Sequence, residues 1–509
     1  MARRVVLLGL DGATFDVLGP WAREGLLPHF ARMMREGVWG DLTSTVPPTT
    51  PPAWATIVTG VNPGKHGIYD FRESPSLDPA RPLISSRSLK APTLWHLLNR
   101  HGKKVGVFNV PITFPPQPVD GFVISGMMTP GEHSSFAFPA SLKAELLRAV
   151  PGYIVDVDIP QFDVELKEDA MAFLTLIGTA FERRRQAMFY LLERWPWDFF
   201  MAVFVLTDRV QHLFWKYLDP TSALYASELG VQVRARVVEL YQRLDAMFGA
   251  LLDRLDGQTD LFVISDHGFG PTKAFINVNC WLEDLGLLRL RRMEGLKRGL
   301  LYRAMVLNEA PWVKRLVPLA VQGAIRRRVR KTRSTFKTDV EISVDWSRTK
   351  AFFPSIPSQG IYICAERDGQ GAVTPDRKYE EVRELIRQQL YELRDPTTRQ
   401  KVVDRVWFRE EVYEGPLTRY APDVLFVAQD YSYLGRGLFR ATEWIRSSEA
   451  VPNGFHRMNG VFFALGPAFK AGQRISGAGV TDITPTILEA MGISVSAKFD
   501  GRVLSEIWR

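Results

Sequence analysis

Six residues of this chain combine carboxylate and imidazole chemistry in suggestive places. Asp11 closes "VVLLGLDG", Asp208 and His212 lie four apart in "LTDRVQH", Asp266 and His267 are adjacent in "VISDHGFG", and His456 stands in "NGFHRMNG". Carboxylate and imidazole together suit zinc or another borderline divalent ion, and a catalytic ion needs only three protein ligands and an open position. At a helical start, the four-residue spacing of Asp208 and His212 puts both on one face, as a chelating pair requires. Each piece alone also fits a structural role: Asp11 as a turn or cap residue, "SDHG" as a hydrogen-bonded turn, His456 as an ordinary core or surface histidine. The conjunction carries the weight, because three of only eight histidines fall at these points.

A hydroxyl is the seventh candidate. "TVPPTTPPAWATIVTG" (45–60) sets Thr49 and Thr50 between two proline pairs, ahead of an apolar run ending in Thr59-Gly60. Proline restricts φ on both sides of the pair. Either this is a turn before a helix, or one hydroxyl is being held still as a nucleophile.

The elements that must position these groups are legible as apolar runs. "RRVVLLGLDG", "KKVGVFNVP" (103–111), "DFFMAVFVLTD" (198–208), "TDLFVISDHG" (259–268), "PDVLFVAQD" (422–430) and "NGVFFALGP" (459–467) read as strands apolar on both faces. Such strands suit the interior of a mostly parallel sheet covered by helices. Helical patterns alternate with them, as in "KEDAMAFLTLIGTAFERRRQAMFYLLERW" and "VRARVVELYQRLDAMFGALLDRL". The alternation predicts an α/β protein, a three-layer α/β/α sandwich with a mostly parallel central sheet. Ligands of open α/β sheets bind beyond the carboxyl ends of the strands, where most of the candidates lie.

A chain of 509 residues, 46% apolar and 24% charged, is globular and too long for one ordinary core. The net charge of +8 favours anionic partners, but no specific nucleic-acid motif is present. Residues 286–340 are strongly basic with interleaved Leu, Val and Trp. They are expected to form a solvated, partly helical insertion or a contact for an anionic membrane surface. The organisation expected is a core in two parts, 1–285 and 346–509, around a basic insertion at 286–345. Two distant cysteines, Cys280 and Cys364, and no apolar run of membrane-spanning length suggest a cytoplasmic protein. Oligomeric state is left open.

Taken in order, "LGLDG", "TTPPAWATIVTG…P..HGI", "D...H", "DHG" and the His before "ALGPAF" resemble the alkaline phosphatase superfamily, and within it the type I phosphodiesterase/nucleotide pyrophosphatase branch. The resemblance runs nearly the length of the chain, to the tail "VTDITPTILEAMGI". It implies an alkaline phosphatase-like fold and a site for two divalent metal ions, zinc first, with manganese as the alternative. One ion would be held by Asp208, His212 and His456, the other by Asp11, Asp266, His267 and the nucleophile. The nucleophile would be Thr50, ten residues before Gly60, with Thr49 in a backbone role. The implied reaction is hydrolysis of a phosphate diester or pyrophosphate in a small phosphorylated substrate, through a phosphothreonine intermediate. The helix suggested by "AWATIVTG" would aim its free N–H groups at the phosphoryl group. His66 belongs to the motif without being a ligand. The nucleotide pyrophosphatases' phosphate-binding Asn is missing from "HGIYDFRES", where Arg72 could serve as an anion clamp. Asn109 and Asn279 are further candidates for the pocket lining. The rivals are a phosphomonoesterase or phosphotransferase of the same superfamily, and a non-catalytic protein that binds anionic surfaces.

Overall fold

Side chains of strand Arg4–Leu10 alternate between two apolar layers: Val6, Leu8 and Leu10 enter one buried cluster, Val5 and Leu7 the other. A strand covered on both faces has no polar side to show, hence its continuous apolar run. The computed structural model describes residues 3–73, 82–157, 164–291, 344–365, 372–373, 377–439, 443–447, 453–495 and 498–509. Helices Phe15–Arg23, Pro28–Glu36, Lys167–Arg194, Leu206–Leu218 and Glu228–Leu252 cover the first face. Helices Thr50–Thr59, Leu94–Arg100 and Ile483–Ala490 cover the second. The result is a three-layer α/β/α sandwich.

The central sheet has nine strands in the order Gln473–Gly479, Val38–Thr43, Asn459–Leu465, Thr259–Ile264, Arg4–Leu10, Phe199–Phe204, Val105–Val110, Gly121–Ser125 and Ala137–Phe138. Arg4–Leu10 pairs in parallel with both neighbours, with Leu10 opposite Phe204 and Gly9 opposite Ile264. This register levels the carboxyl ends of the three middle strands. Asp11, Asp208 and Asp266 leave the sheet there.

A second, smaller sheet gathers Ala274–Asn277, Ala351–Phe352, Gly360–Ile363, Val403–Phe408, Val424–Ala428, Tyr433–Arg436 and Ile445–Ser447 around its own apolar core. The chain enters it after Gly268–Pro271 and returns through Gly454–Arg457, and these two strands pair with His456 opposite Phe269. Residues 346–509 therefore serve two sheets. The run at 422–430, read above as a strand of the central sheet, lies in the smaller one, antiparallel to its partners. Asn459–Leu465 belongs to the central sheet but runs antiparallel to both neighbours. A two-sided apolar run reports cover on both faces, not sheet membership or direction. Of the basic insertion, residues 292–343 lie outside the described residues. No helix among the described residues is long and apolar enough to cross a membrane.

Gly9 shows how fold and site are coupled. A Cβ there would sit 2.2 Å from the Trp54 ring, which is fully buried across the strand. Gly9→Ala is expected to destabilise the protein by about 1–3 kcal/mol through overpacking. Urea unfolding checks this, and a change under ~0.5 kcal/mol would show that Trp54 is free to move.

Candidate active site

The segment around Thr50 is built by proline. Helix Thr50–Thr59 begins at Thr50 with Thr49 as N-cap, and Gly60 ends it in the left-handed region at φ 69°. An N-cap threonine normally accepts from an N–H at the second or third helical position. Here those positions are Pro51 and Pro52, which have none. Thr49 therefore makes no cap bond, and its hydroxyl donates to Pro357 O at 2.9 Å, on a loop of the second sheet. The same prolines correct one expectation: the first turn offers no array of N–H groups, only that of Thr50. Tyr413, also from the second-sheet side, donates to Val46 O.

Thr50 Oγ1 lies 3.2 Å from His267 Nε2 and is buried. Around it the three strand ends converge. Thr207 donates to Asp11 O, and Gln211 Nε2 to Gly12 O at 2.7 Å, which seats helix Leu206–Leu218 against the first loop. Asp208 and His212 share the inner face of that helix, with His212 Nε2 3.2 Å from Asp208 Oδ1. His456 Nε2 is 3.0 Å from His212 Nε2 and 3.5 Å from Asp208 Oδ1. The His267 and His456 rings stack at 3.6 Å. Phe269 stands edge-on to His212 and His456, at 4.7 and 5.3 Å. All six residues predicted from the sequence are thus brought together with Thr50. At 24% exposure His212 is the most open of them, so the site opens on its side.

The hydrogen bonds around this cluster follow one rule. Each histidine places Nδ1 on a backbone carbonyl: His456 on Pro48 O at 2.8 Å, His212 on Gly454 O at 3.2 Å, His267 on Gly268 O at 3.1 Å. A carbonyl only accepts, so Nδ1 carries a proton, and a ring with that one proton turns a bare Nε2 lone pair inward. Each aspartate has one oxygen held from outside: Asp11 Oδ2 by Trp54 Nε1 at 3.0 Å, Asp266 Oδ1 by Gly12 N–H at 3.2 Å, Asp208 Oδ2 by Arg209 Nη1 at 3.0 Å. The other three oxygens, Asp11 Oδ1, Asp208 Oδ1 and Asp266 Oδ2, are buried and find no hydrogen-bond partner among the described residues. Six inward acceptors thus face one another, and among the described residues the Thr50 hydroxyl beside His267 Nε2 is the donor that reaches them.

Electrostatics express the same shortage. Burial, then the repulsion of neighbouring carboxylates, pushes Asp11 and Asp266 well above the ordinary carboxylate range. Burial also works against the charge of Asp208, while the Arg209 guanidinium beside it favours that charge. Burial keeps His267 and His456 neutral. Ligand atoms of Asp208, His212 and His456 lie within 4.8 Å of one another, as do those of Asp11, Asp208 and His267. Asp208 sits between the two groups. Three carboxylate oxygens without donors among the described residues, together with three inward imidazole nitrogens, fit divalent cations, with zinc or manganese both suited to the set.

The remaining candidates stand apart. Asn109 is buried at φ 56°, with Oδ1 accepting from Tyr153 at 2.7 Å. Asn279 brackets the Phe353 backbone, accepting from its N–H at 2.9 Å and donating to its O at 3.0 Å. Neither hydrogen-bonds to the cluster among the described residues. Arg72 forms a bridge with Leu83. Sequence reasoning missed Trp54, Arg209 and the three carbonyls. Trp54, one turn after Thr50, and Arg209, beside Asp208, had only their nearness as a signal.

A three-layer sandwich with carboxylates and imidazoles on the carboxyl ends of its middle strands, beside a hydroxyl at a helix start, defines an alkaline phosphatase-like protein. The chain belongs to the type I phosphodiesterase/nucleotide pyrophosphatase family, whose sequence profile matches residues 5–438. It is 25% identical over 358 residues to the Homo sapiens ectonucleotide pyrophosphatase/phosphodiesterase family member 1, covering 64% of this chain and 32% of that protein. The chain thus spans about a third of that relative's length. Human ectonucleotide pyrophosphatase/phosphodiesterase 5 shares the fold at TM-score 0.51 and 17% identity, over 98% of this chain and 97% of that one. Phosphonoacetate hydrolase from Sinorhizobium meliloti 1021, in complex with phosphonoformate, does so at TM-score 0.55 and 16% identity, over 97% and 96%.

His66 is architectural in this geometry. Ile68 N–H donates to its Nδ1 at 3.1 Å, so the ring proton is on Nε2, which reaches Thr56 Oγ1 at 3.0 Å. Burial lowers its pKa from 6.5 to about 3. Below pH 6.5 the unfolded chain takes up a proton that the folded one refuses until about pH 3. His66 therefore withdraws stability as pH falls through that window, by about 1.4 kcal/mol per pH unit at most. The stability deficit of His66→Gln at pH 7 is expected to shrink as pH drops from 6.5 towards 4. Urea midpoints across that range test it, and a constant deficit would contradict a neutral buried ring.

Proposed function

We propose that this chain is a metal-dependent hydrolase of phosphate diester or pyrophosphate bonds, with Thr50 as nucleophile. The observation that carries the reading is the set of three buried carboxylate oxygens without a donor among the described residues, gathered with three imidazole nitrogens directly beside a buried threonine hydroxyl. Asp208, His212 and His456 would hold one divalent ion, and Asp11, Asp266 and His267, with Thr50, the other. When bound, the ions supply the positive charge that makes a hydroxyl acidic and stabilises charge on phosphoryl and leaving oxygens.

The chain's own residues do the rest. The proline-flanked start of helix Thr50–Thr59 holds Oγ1 in one pose, so little freedom is lost on reaching the in-line geometry of attack. Oγ1 bonds to phosphorus as the bond from phosphorus to the leaving oxygen breaks, giving a phosphothreonine. Water then attacks the same phosphorus, and the Thr50 oxygen departs and regains a proton. Trp54, Gly12, Arg209 and the three carbonyls keep every inward atom aimed, as partners behind ligands do elsewhere. Family membership supports phosphoester chemistry.

Two measurements test the reading. Turnover of bis(p-nitrophenyl) phosphate by zinc- or manganese-loaded protein is expected to fall by at least ~10³-fold in Thr50→Ala. Unchanged turnover would move the nucleophile elsewhere, Thr49 first. Faster turnover of p-nitrophenyl phosphate than of the diester would make the protein a phosphomonoesterase instead. Dialysis against a chelator is expected to abolish activity and lower the melting temperature, and readdition at ~100 times Kd to restore about 2.7 kcal/mol of stability for each ion bound. A melting curve indifferent to divalent ions would argue against the two-ion site.

A further inference from the structure

Arg209 follows a proposed ligand and lies against it. Its Nη1 donates to Asp208 Oδ2 at 3.0 Å, and only 12% of its side chain is exposed. That contact explains why Asp208 presents Oδ1 alone to His212 and His456. It also places a full positive charge beside a carboxylate meant for a cation, in a buried setting where charges act strongly. Nε of Arg209 is buried and without a partner among the described residues, so the guanidinium depends on what its two Nη groups hold.

The second Nη group holds Asp156. Arg209 Nη2 reaches its two oxygens at 3.2 and 3.4 Å. Asp156 is itself fixed. Val157 N–H donates to Oδ1 at 2.8 Å, and Arg184 Nη2 stands 3.7 Å away. Arg184, on helix Lys167–Arg194, also donates to Ile154 O at 3.1 Å and to Val155 O. Tyr153, packed between Phe108 and Phe136, anchors the segment to Asn109. A short segment tied down this thoroughly carries one carboxylate to the outer side of Arg209.

We infer that Asp156 is a positioning residue for the Asp208–His212–His456 ion: it cancels the Arg209 charge, so that Arg209 can fix Asp208 without repelling the cation. The inference rests on the two-ion reading above. Asp156 touches neither substrate nor ion, and its effect passes through Arg209.

The test is zinc binding by full-length protein, titrated against a chromogenic chelator. Wild type is expected to take two ions. Asp156→Asn, nearly isosteric, is expected to bind one of them about 10–100-fold more weakly, the range found for partners behind metal ligands. Asp156→Glu, which keeps the charge, should stay within ~3-fold of wild type. Asp156→Asn combined with Arg209→Gln, which keeps a donor to Asp208, should regain most of the loss, because the uncompensated charge is gone. Should Asp156→Asn fail to fold, as judged by circular dichroism of the ion-free protein, Arg209→Gln decides. It keeps a donor to Asp208 without the charge, and should bind both ions at least as tightly as wild type. Wild-type affinity in Asp156→Asn, a double variant as weak as the single, or tenfold weaker binding in Arg209→Gln would each overturn the inference and leave the two-ion reading standing. Failure of wild type to bind zinc would instead remove the two-ion reading, and this one with it.

Discussion

Three buried carboxylates at one end of a sheet, each with an oxygen that no donor answers, set the terms for the rest of this molecule. Asp11 and Asp208 offer oxygens within 4.8 Å of each other, a separation at which two like charges repel by about 3 kcal/mol at an effective dielectric near 20. The folded chain tolerates this because each carboxylate is gripped from behind. Trp54, Gly12 and Arg209 take one oxygen apiece and leave the other facing the cluster. The parallel register makes the crowding unavoidable, since Leu10 and Phe204 are level and the residues after them must meet. The raised carboxyl groups of Asp11 and Asp266 express the cost of that crowding.

The second sheet completes what the first begins. It is inserted between His267 and His456, so the paired strands Gly268–Pro271 and Gly454–Arg457 are both its stalk and the device that brings the two histidines into stacking contact. It reaches over the segment before helix Thr50–Thr59 as well. Pro357 O takes the Thr49 hydroxyl, Ser355 Oγ donates to Asp70 Oδ2 at 3.0 Å, and Tyr413 donates to Val46 O. The prolines after Thr50 make the first of these contacts available, because they remove the N–H groups that a capping threonine would otherwise bind. Local backbone chemistry and an interdomain contact are thus one feature.

Much of this was legible before any coordinates. Five of the six cluster residues stood out because carboxylate and imidazole recurred after apolar runs, and strand ends are where open α/β sheets place their sites; His456 stood just before one. The sandwich followed from runs apolar on both faces. Less legible was the division of the carboxyl-terminal half: Val424–Ala428 is buried on both sides like a central strand, yet belongs to the smaller sheet. Periodicity reports burial, and burial is the same in either sheet. Asn279 looked like a pocket residue from its place near "DHG", but its amide is engaged by the Phe353 backbone.

The sequence by itself determined the types of group available, their order, and the stiffness around Thr50, because composition, spacing and proline are local properties. Only the tertiary structure decided which atom of each group faces inward. Nδ1 and Nε2 are the same residue in a sequence. What separates them is a carbonyl of Pro48, Gly454 or Gly268 arriving from a distance or from the turn itself. The same holds for Trp54 behind Asp11 and Asp156 behind Arg209, partners that carry no mark of their role until the chain folds. Hydrogen-bond direction is settled by who stands opposite, and neighbours in space are what a sequence does not list.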